Sequence, residues 1–201
     1  MKYYRKLSGE QCYLSPISLD DVDKYTEWAN DLEVGQFVLF SSGVLDQGKE
    51  KETLQSLMDN HHVFAIVEKE NNKVIGNVGL HDANVTHRRA TFGIFIGDKT
   101  YWNRGIGAEA TSLVLDYGFN ILNLNNISLE VVAYNQRAVR CYEKVGFKYV
   151  GRRRQYVFMA GSYHDVLLYD ILASEFTSPY VKEVFDRSTS EDAGKSKITI
   201  V

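Results

Sequence analysis

The stretch RGIGAEATSLVLDYGFNIL, Arg104 to Leu122, constrains this chain more than any other. Two glycines, Gly105 and Gly107, stand at the mouth of an apolar pattern. Ala110, Leu113, Val114, Tyr117 and Ile121 recur three or four residues apart, which predicts a helix from about Gly107 to Leu122 with one buried stripe. A helix N-terminus carries unpaired N–H groups and a partial positive charge. Small residues in front of it let an anion approach the backbone closely. The expected ligand is a phosphate or pyrophosphate. The amides placed to meet it belong to Arg104, Gly105, Ile106, Gly107 and Ala108.

Three readings of these glycines compete. They can simply shape a turn. They also match the dinucleotide fingerprint GxGxxA literally, but that fingerprint needs a strand running straight into the glycines and opening a βαβ unit. Here the preceding strand ends near Gly97, about eight residues upstream, and the strands before it form a hairpin. A P-loop is excluded because no Gly-Lys-Ser or Gly-Lys-Thr follows. The third reading depends on the rest of the chain.

Around this motif the pattern reads as one mixed α/β domain. QCYLSPI is a short strand. SLDDVDKYTEWANDLEV is a helix with Ser18 as N-cap and Asp20 and Asp21 at its positive end. A less regular stretch, GQFVLFSSGVL, precedes a second helix that begins after Asp46 and covers Leu54, Leu57 and Met58. HVFAIVE and KVIGNVGLHD form a hairpin through Asn71 and Asn72. RRATFGIFIGD is the strand before the glycines, and ISLEVVA is the strand after their helix. A further helix opens at Asn135 and ends at Gly146, with Ala138, Cys141, Tyr142 and Val145 as its stripe. FKYVGRRRQYVFM and YHDVLLYDIL are the last strands, joined by Ala160-Gly161-Ser162. Residues 1–174 make the domain. After Ser174 the pattern fades, and STSEDAGKSK is polar and low in apolar residues, which predicts that residues 175–201 form a loosely attached tail.

Composition narrows the class. Of 201 residues, 44% are hydrophobic and 24% charged, the balance of an ordinary globular protein. The net charge of −3 gives no bulk attraction to nucleic acid or anionic membrane. Two cysteines, Cys12 and Cys141, lie far apart and without metal-ligand spacing, so no metal site is expected and a reducing cytoplasm is the simplest location. No apolar run reaches the roughly 20 residues of a membrane span, and the N-terminus lacks the apolar core of a signal peptide.

About 30 residues after the glycines comes NQRAVRCYEKVGF. The YW-x-RGIGAEA turn and helix, followed by a strand and by N-x-x-A-x-x-x-Y-x-K-x-G-F, resembles the GNAT superfamily of acyl-CoA-dependent N-acetyltransferases. The stretch HRRATFGIFIGDKTYWNRGIGAEA and the Y-x-D-V of the last strand are similar to the branch of ribosomal-protein N-terminal and spermidine acetyltransferases. The resemblance covers about Gln11 to Leu172. It implies a mostly antiparallel, splayed sheet of about seven strands flanked by about four helices.

The resemblance also implies roles. The glycine turn would bind the pyrophosphate of acetyl-CoA, the expected cosubstrate. Strand residues Ile94, Phe95 and Ile96 would line a V-shaped gap that takes the pantetheine arm by main-chain contacts. Asn135 matches an asparagine near the pantetheine, and is equally a plain helix cap. Arg137 and its basic neighbours could meet the phosphates. Tyr142 matches the tyrosine that protonates the departing thiolate. A phenol with a pKa of about 10 is suited to this, because it stays protonated at neutral pH. Two positions depart from the pattern. Trp102 stands where a Gln or Arg often begins the glycine motif. Thr91 stands where similar chains often carry a Glu, so the base that takes the amine's proton is open among His81, Asp82, His87, Glu33 and Glu130, or water alone.

Charge is uneven. Residues 1–60 hold eleven acids against six bases, which suits either a solvated helix surface or a wall attracting a cationic acceptor such as a polyamine, an aminoglycoside or a peptide N-terminus. Residues 134–154 hold seven bases against one acid; the Arg152-Arg153-Arg154 run is too short to argue for nucleic acid. An exposed sheet edge or the tail could support a homodimer. The second functional class is a non-catalytic acyl-CoA-binding module, motivated by Thr91.

Overall fold

The structure, a computed structural model, describes residues 2–37, 43–177 and 180–185. In chain order the elements are β1 (Leu7–Ser8), β2 (Cys12–Ser15), a 3-10 turn (Leu19–Asp21), α1 (Val22–Asn30), α2 (Leu32–Gly35) and α3 (Gln47–Asp59). There follow β3 (Val63–Glu68), β4 (Lys73–Asn84), β5 (Arg89–Ile96), α4 (Ile106–Asn120), β6 (Asn126–Val132), α5 (Gln136–Val145), β7 (Lys148–Met159) and β8 (Ser162–Leu172). Among the described residues the strands form one eight-stranded sheet in the order β1-β2-β3-β4-β5-β6-β8-β7. Every neighbouring pair is antiparallel except β5 and β6, which run parallel.

Local chemistry explains most boundaries. Ser18 caps the first turn by accepting from the Asp20 N–H, and Asp46 caps α3 by accepting from Lys49 at 2.8 Å. The first expected helix is broken. Asp31 is extended, and its carboxylate accepts from the Glu33 N–H at 2.9 Å, so it starts α2 instead of continuing α1. Part of the stretch expected to be irregular, residues 38–42, lies outside the described residues. β1 is an unforeseen strand; two residues are too few to show alternation. α4 starts at Ile106 and stops at Asn120, so Ile121 leaves the expected stripe and is 41% exposed.

The sheet has two apolar faces. On one, α4 and α5 cover a cluster that includes Leu14, Ile66, Leu80, Phe92, Leu113, Val114, Ile127, Leu129 and Tyr142. On the other, α1 and α3 cover Tyr13, Tyr25, Trp28, Leu54, Val63 and Ala65. α4 is buried on most of its surface, because β2, β4 and β5 lie beneath it and α5 beside it.

Beyond Ser174 the described residues contact the domain at several points. The Phe176 ring packs 5.5 Å from Phe119. The backbone N–H groups of Tyr180 and Val181 both donate to a carboxylate oxygen of buried Asp116, each at 2.9 Å. Residues 186–201, the rest of the expected tail, lie outside the described residues.

Candidate active site

β5 and β6 are paired over three residues only, Arg89–Thr91 against Asn126–Ser128. Beyond that, β5 runs on to Ile96 and β6 to Val132 with no ladder between them. Residues 93–96 are accordingly only half-buried. The result is a V-shaped opening within the sheet. Its closed end is packed by the Phe92 ring, which meets Tyr142 at 6.0 Å and Phe147 at 5.8 Å.

The glycine turn stands at this opening. Gly105 has φ +85° and ψ −15°, a left-handed conformation that glycine adopts with little strain. It precedes α4 with no side chain capping the helix. The first intrahelical bond runs from the Glu109 N–H to the Gly105 carbonyl at 3.1 Å, so the N–H groups of Ile106, Gly107 and Ala108 lie ahead of it. Gly107 is pressed against the strand, since a Cβ there would meet Ile96 Cδ1 at 3.2 Å and Cys141 Sγ at 3.9 Å. Glu109 would repel an anion at this helix end. Its carboxylate is turned to the β1–β2 turn instead, where it accepts from the backbone of Glu10, Gln11 and Cys12. The Arg104 guanidinium lies 5.0 Å over the Tyr101 ring.

Trp102 has a clear structural task. Its indole N–H donates to the Ile96 carbonyl at 2.9 Å and so fixes the end of β5. Arg137 stacks 3.6 Å above the Trp102 ring and 5.3 Å from Phe37. One lone pair of the Ile96 carbonyl is therefore taken, and the free main chain near it is less than the sequence suggested.

α5 brings the remaining residues. Asn135 is 8% exposed and caps the helix, its Oδ1 accepting from Ala138 at 3.2 Å. Val139 and Tyr142 are the buried positions of α5, while Ala138 and Val145 are half-buried against the core. Cys141 is half-buried, and burial pushes its thiol upward, away from a nucleophilic thiolate. Tyr142 is 7% exposed, and burial raises its phenol well above the ordinary value, which keeps it protonated. No hydrogen bond to its hydroxyl forms among the described residues. Every sealed buried polar side-chain atom there has a partner, so the hydroxyl reaches accessible space.

The base candidates separate. Glu33 is paired with Lys99 at 2.7 Å, and Glu130 is held by both terminal nitrogens of Arg153 at 2.8 and 3.0 Å. Asp82 (φ +50°) lies at the irregular end of the β4–β5 ladder, and His87 lies in the exposed turn beyond it. Thr91 pairs with Ser128 at the closed end of the opening. His81 lies opposite Thr91 in the ladder, with Nε2 beside Gly93. Burial lowers its pKa and keeps it neutral. Asn60 Nδ2 donates to the Leu80 carbonyl and faces His81 Nδ1 at 3.4 Å.

Three of the seven bases in 134–154 are spent on ion pairs: Lys148 with Glu175, Arg152 with Asp165, and Arg153 with Glu130. Asp165, of the Y-x-D-V motif, also accepts from the Gln155 N–H at 2.8 Å and so secures an irregularity in β7 where Gln155 has φ +52°. Among the described residues no group of three His, Cys, Asp or Glu side chains could hold a metal ion, and no helix is long and apolar enough to cross a membrane.

The acetyltransferase (GNAT) domain model matches residues 11–148, well over half the chain. The chain belongs to the GNAT acetyltransferase family. It is 27% identical over 175 residues to the uncharacterized N-acetyltransferase p20 of Bacillus licheniformis, covering 85% of this chain and 97% of that one. It is 36% identical over 118 residues to the spermidine N(1)-acetyltransferase of Vibrio cholerae, covering 59% of this chain and 68% of that one. The crystal structure of a spermidine N-acetyltransferase from Vibrio cholerae in complex with CoA and spermine has a TM-score of 0.74 at 26% identity, covering 83% of this chain and 98% of that one. A GNAT acetyltransferase structure from Bacillus anthracis shares the fold at a TM-score of 0.74 and 21% identity, covering 84% of this chain and 99% of that one. The splayed, mostly antiparallel sheet is thus the GNAT fold, with eight strands where the sequence implied about seven.

Proposed function

We propose that this acetyltransferase moves the acetyl group of acetyl-CoA to a primary amine by direct attack. The observation that carries this reading is the uncapped N-terminus of α4 at the mouth of the β5–β6 opening. The amides of Arg104 to Ala108 take the pyrophosphate. The pantetheine enters the opening along Phe95 and Ile96, with Asn135 and Arg137 on its α5 side. The amine nitrogen attacks the thioester carbonyl carbon, a C–N bond forms and the C–S bond breaks. Tyr142 gives its proton to the departing thiolate, and the proton shed by the attacking nitrogen leaves through water and restores the phenol. No covalent acyl-enzyme is needed, and the half-buried Cys141 thiol, pushed upward by burial, is not suited to form one. The CoA complex of the Vibrio cholerae structure supports the cosubstrate, and the names of the relatives support a cationic acceptor.

The test is release of free CoA thiol from acetyl-CoA with spermidine, an aminoglycoside, an amino sugar and a short peptide in turn. The reading predicts release that depends on one of these amine classes. Binding of acetyl-CoA with no release to any amine would overturn it.

A further inference from the structure

Arg137 lies in the first turn of α5 and is half-buried. No hydrogen bond or ion pair to its guanidinium forms among the described residues. Burial lowers its pKa, as expected of a cation that gives up water without gaining an anion. Glu33 offsets this in part, yet its carboxylate is paired with Lys99 at 2.7 Å. The other cations at this end of the fold are placed differently. Lys99 also pairs with Asp31, the Arg104 guanidinium lies over Tyr101, and Arg140 is exposed.

Aromatic rings hold Arg137. Its guanidinium carbon lies 3.6 Å from the centre of the Trp102 ring and 5.3 Å from that of Phe37. Phe37 meets Trp102 edge-on at 6.3 Å and Tyr134 at 6.1 Å, and the Tyr134 hydroxyl donates to the Gln36 carbonyl at 2.6 Å. A separation of 3.6 Å is that of parallel planes, because an edge-on guanidinium would press a nitrogen into the ring. A guanidinium stacked by its flat face keeps its N–H groups free in the plane, where they suit a bidentate contact with phosphate. Trp102 has one donor, and it is spent on the Ile96 carbonyl. To an anion it offers nothing directly; to a cation it offers a face.

The stack stands at the glycine turn. Trp102 precedes Gly105 by three residues. Cys141, one turn after Arg137 on the same face of α5, has its Sγ 3.9 Å from where a Cβ on Gly107 would stand. The charge of Arg137 reaches both the Cys141 thiol and the Tyr142 phenol and lowers their pKa values. The guanidinium therefore lies beside the N-terminus of α4, and the stack joins the arm of the opening that ends at Ile96 to the arm that carries α5.

We propose that Trp102 is a positioning residue for the cofactor: its ring carries the Arg137 guanidinium across the opening to the pyrophosphate held by the α4 amides. This rests on the acetyltransferase reading and goes beyond it. It gives Trp102 a part in binding, and it places Arg137 on the pyrophosphate and not on the 3′-phosphate of CoA.

The experiment is calorimetry of CoA and of dephospho-CoA, which lacks the 3′-phosphate, into wild type, Arg137→Gln, Trp102→Leu, Trp102→Phe and the double variant Trp102→Leu/Arg137→Gln. Arg137→Gln is expected to lose about tenfold or more in affinity for both ligands alike. Trp102→Leu should lose a similar factor. Trp102→Phe keeps a ring face without the N–H and should stay close to wild type. The double variant should bind no more weakly than Arg137→Gln alone, because Trp102 acts through Arg137. Arg137→Gln and Trp102→Phe should melt close to wild type, so the comparison does not depend on the stability of Trp102→Leu. Wild-type affinity in Arg137→Gln or Trp102→Leu would overturn the inference, as would losses that add in the double variant. A Trp102→Phe as weak as Trp102→Leu would also overturn it, by showing that the indole N–H and not the ring face matters. A loss for CoA with none for dephospho-CoA would overturn the placement on the pyrophosphate. A wild type that binds neither ligand would overturn the acetyltransferase reading, and the inference with it.

Discussion

At the residue scale, Tyr142 and Gly105 were legible because each belongs to a motif of fixed spacing. Trp102 was not. An indole bracing the Ile96 carbonyl is a fact of packing, and the local sequence around it does not report it. Gly105→Ala should destabilise the fold by about 1 kcal/mol, because an L side chain at φ +85° meets its own backbone. Thermal melting reads this directly, and an unchanged melting temperature would mean the turn relaxes to another conformation. His62 and His81 both have pKa values lowered by burial from 6.5. The unfolded chain binds those protons more readily than the folded one, so stability falls as pH drops below about 6.5. Glu50, whose pKa is raised, acts in the opposite sense at lower pH. Melting curves between about pH 7 and pH 5 should therefore show a loss that shrinks in His62→Asn.

At the element scale, α3, α4 and α5 were legible from caps and periodicity. Asp46, Asn135 and the glycines at 105 and 146 are residue types whose chemistry ends or begins a helix. The interruption at Asp31 was not, because a carboxylate capping a new turn looks the same in sequence as one exposed on a continuing helix. The role of Asp165 was also hidden; Y-x-D-V reads as a strand, while its carboxylate secures the irregular segment of β7. Asp165→Ala leaves the Gln155 N–H and Arg152 without it, and should cost about 1 kcal/mol. Chemical denaturation checks this. No change in the midpoint would show that water replaces the carboxylate at no cost.

At the scale of the whole molecule, element order pointed to the fold class, but the splay could not be read from it. It depends on β5 and β6 pairing for three residues and then parting, a long-range event that no local pattern reports. The attachment of residues 180 and 181 to Asp116 was equally invisible, since it uses backbone donors, which no side-chain pattern reports. Truncation after Thr177 removes two backbone donors from a buried carboxylate that Asn120 also serves, and should cost about 1 kcal/mol. A melting temperature equal to that of the full chain would show that the contact adds nothing.

The measurement that bears most directly on the account is steady-state thiol release by wild type and Tyr142→Phe at saturating acetyl-CoA and the best amine, with acetyl-CoA affinity measured for both. The account predicts turnover about a hundredfold lower in Tyr142→Phe, with affinity for acetyl-CoA unchanged. Equal turnover in the two proteins would remove Tyr142 as the acid and contradict the mechanism.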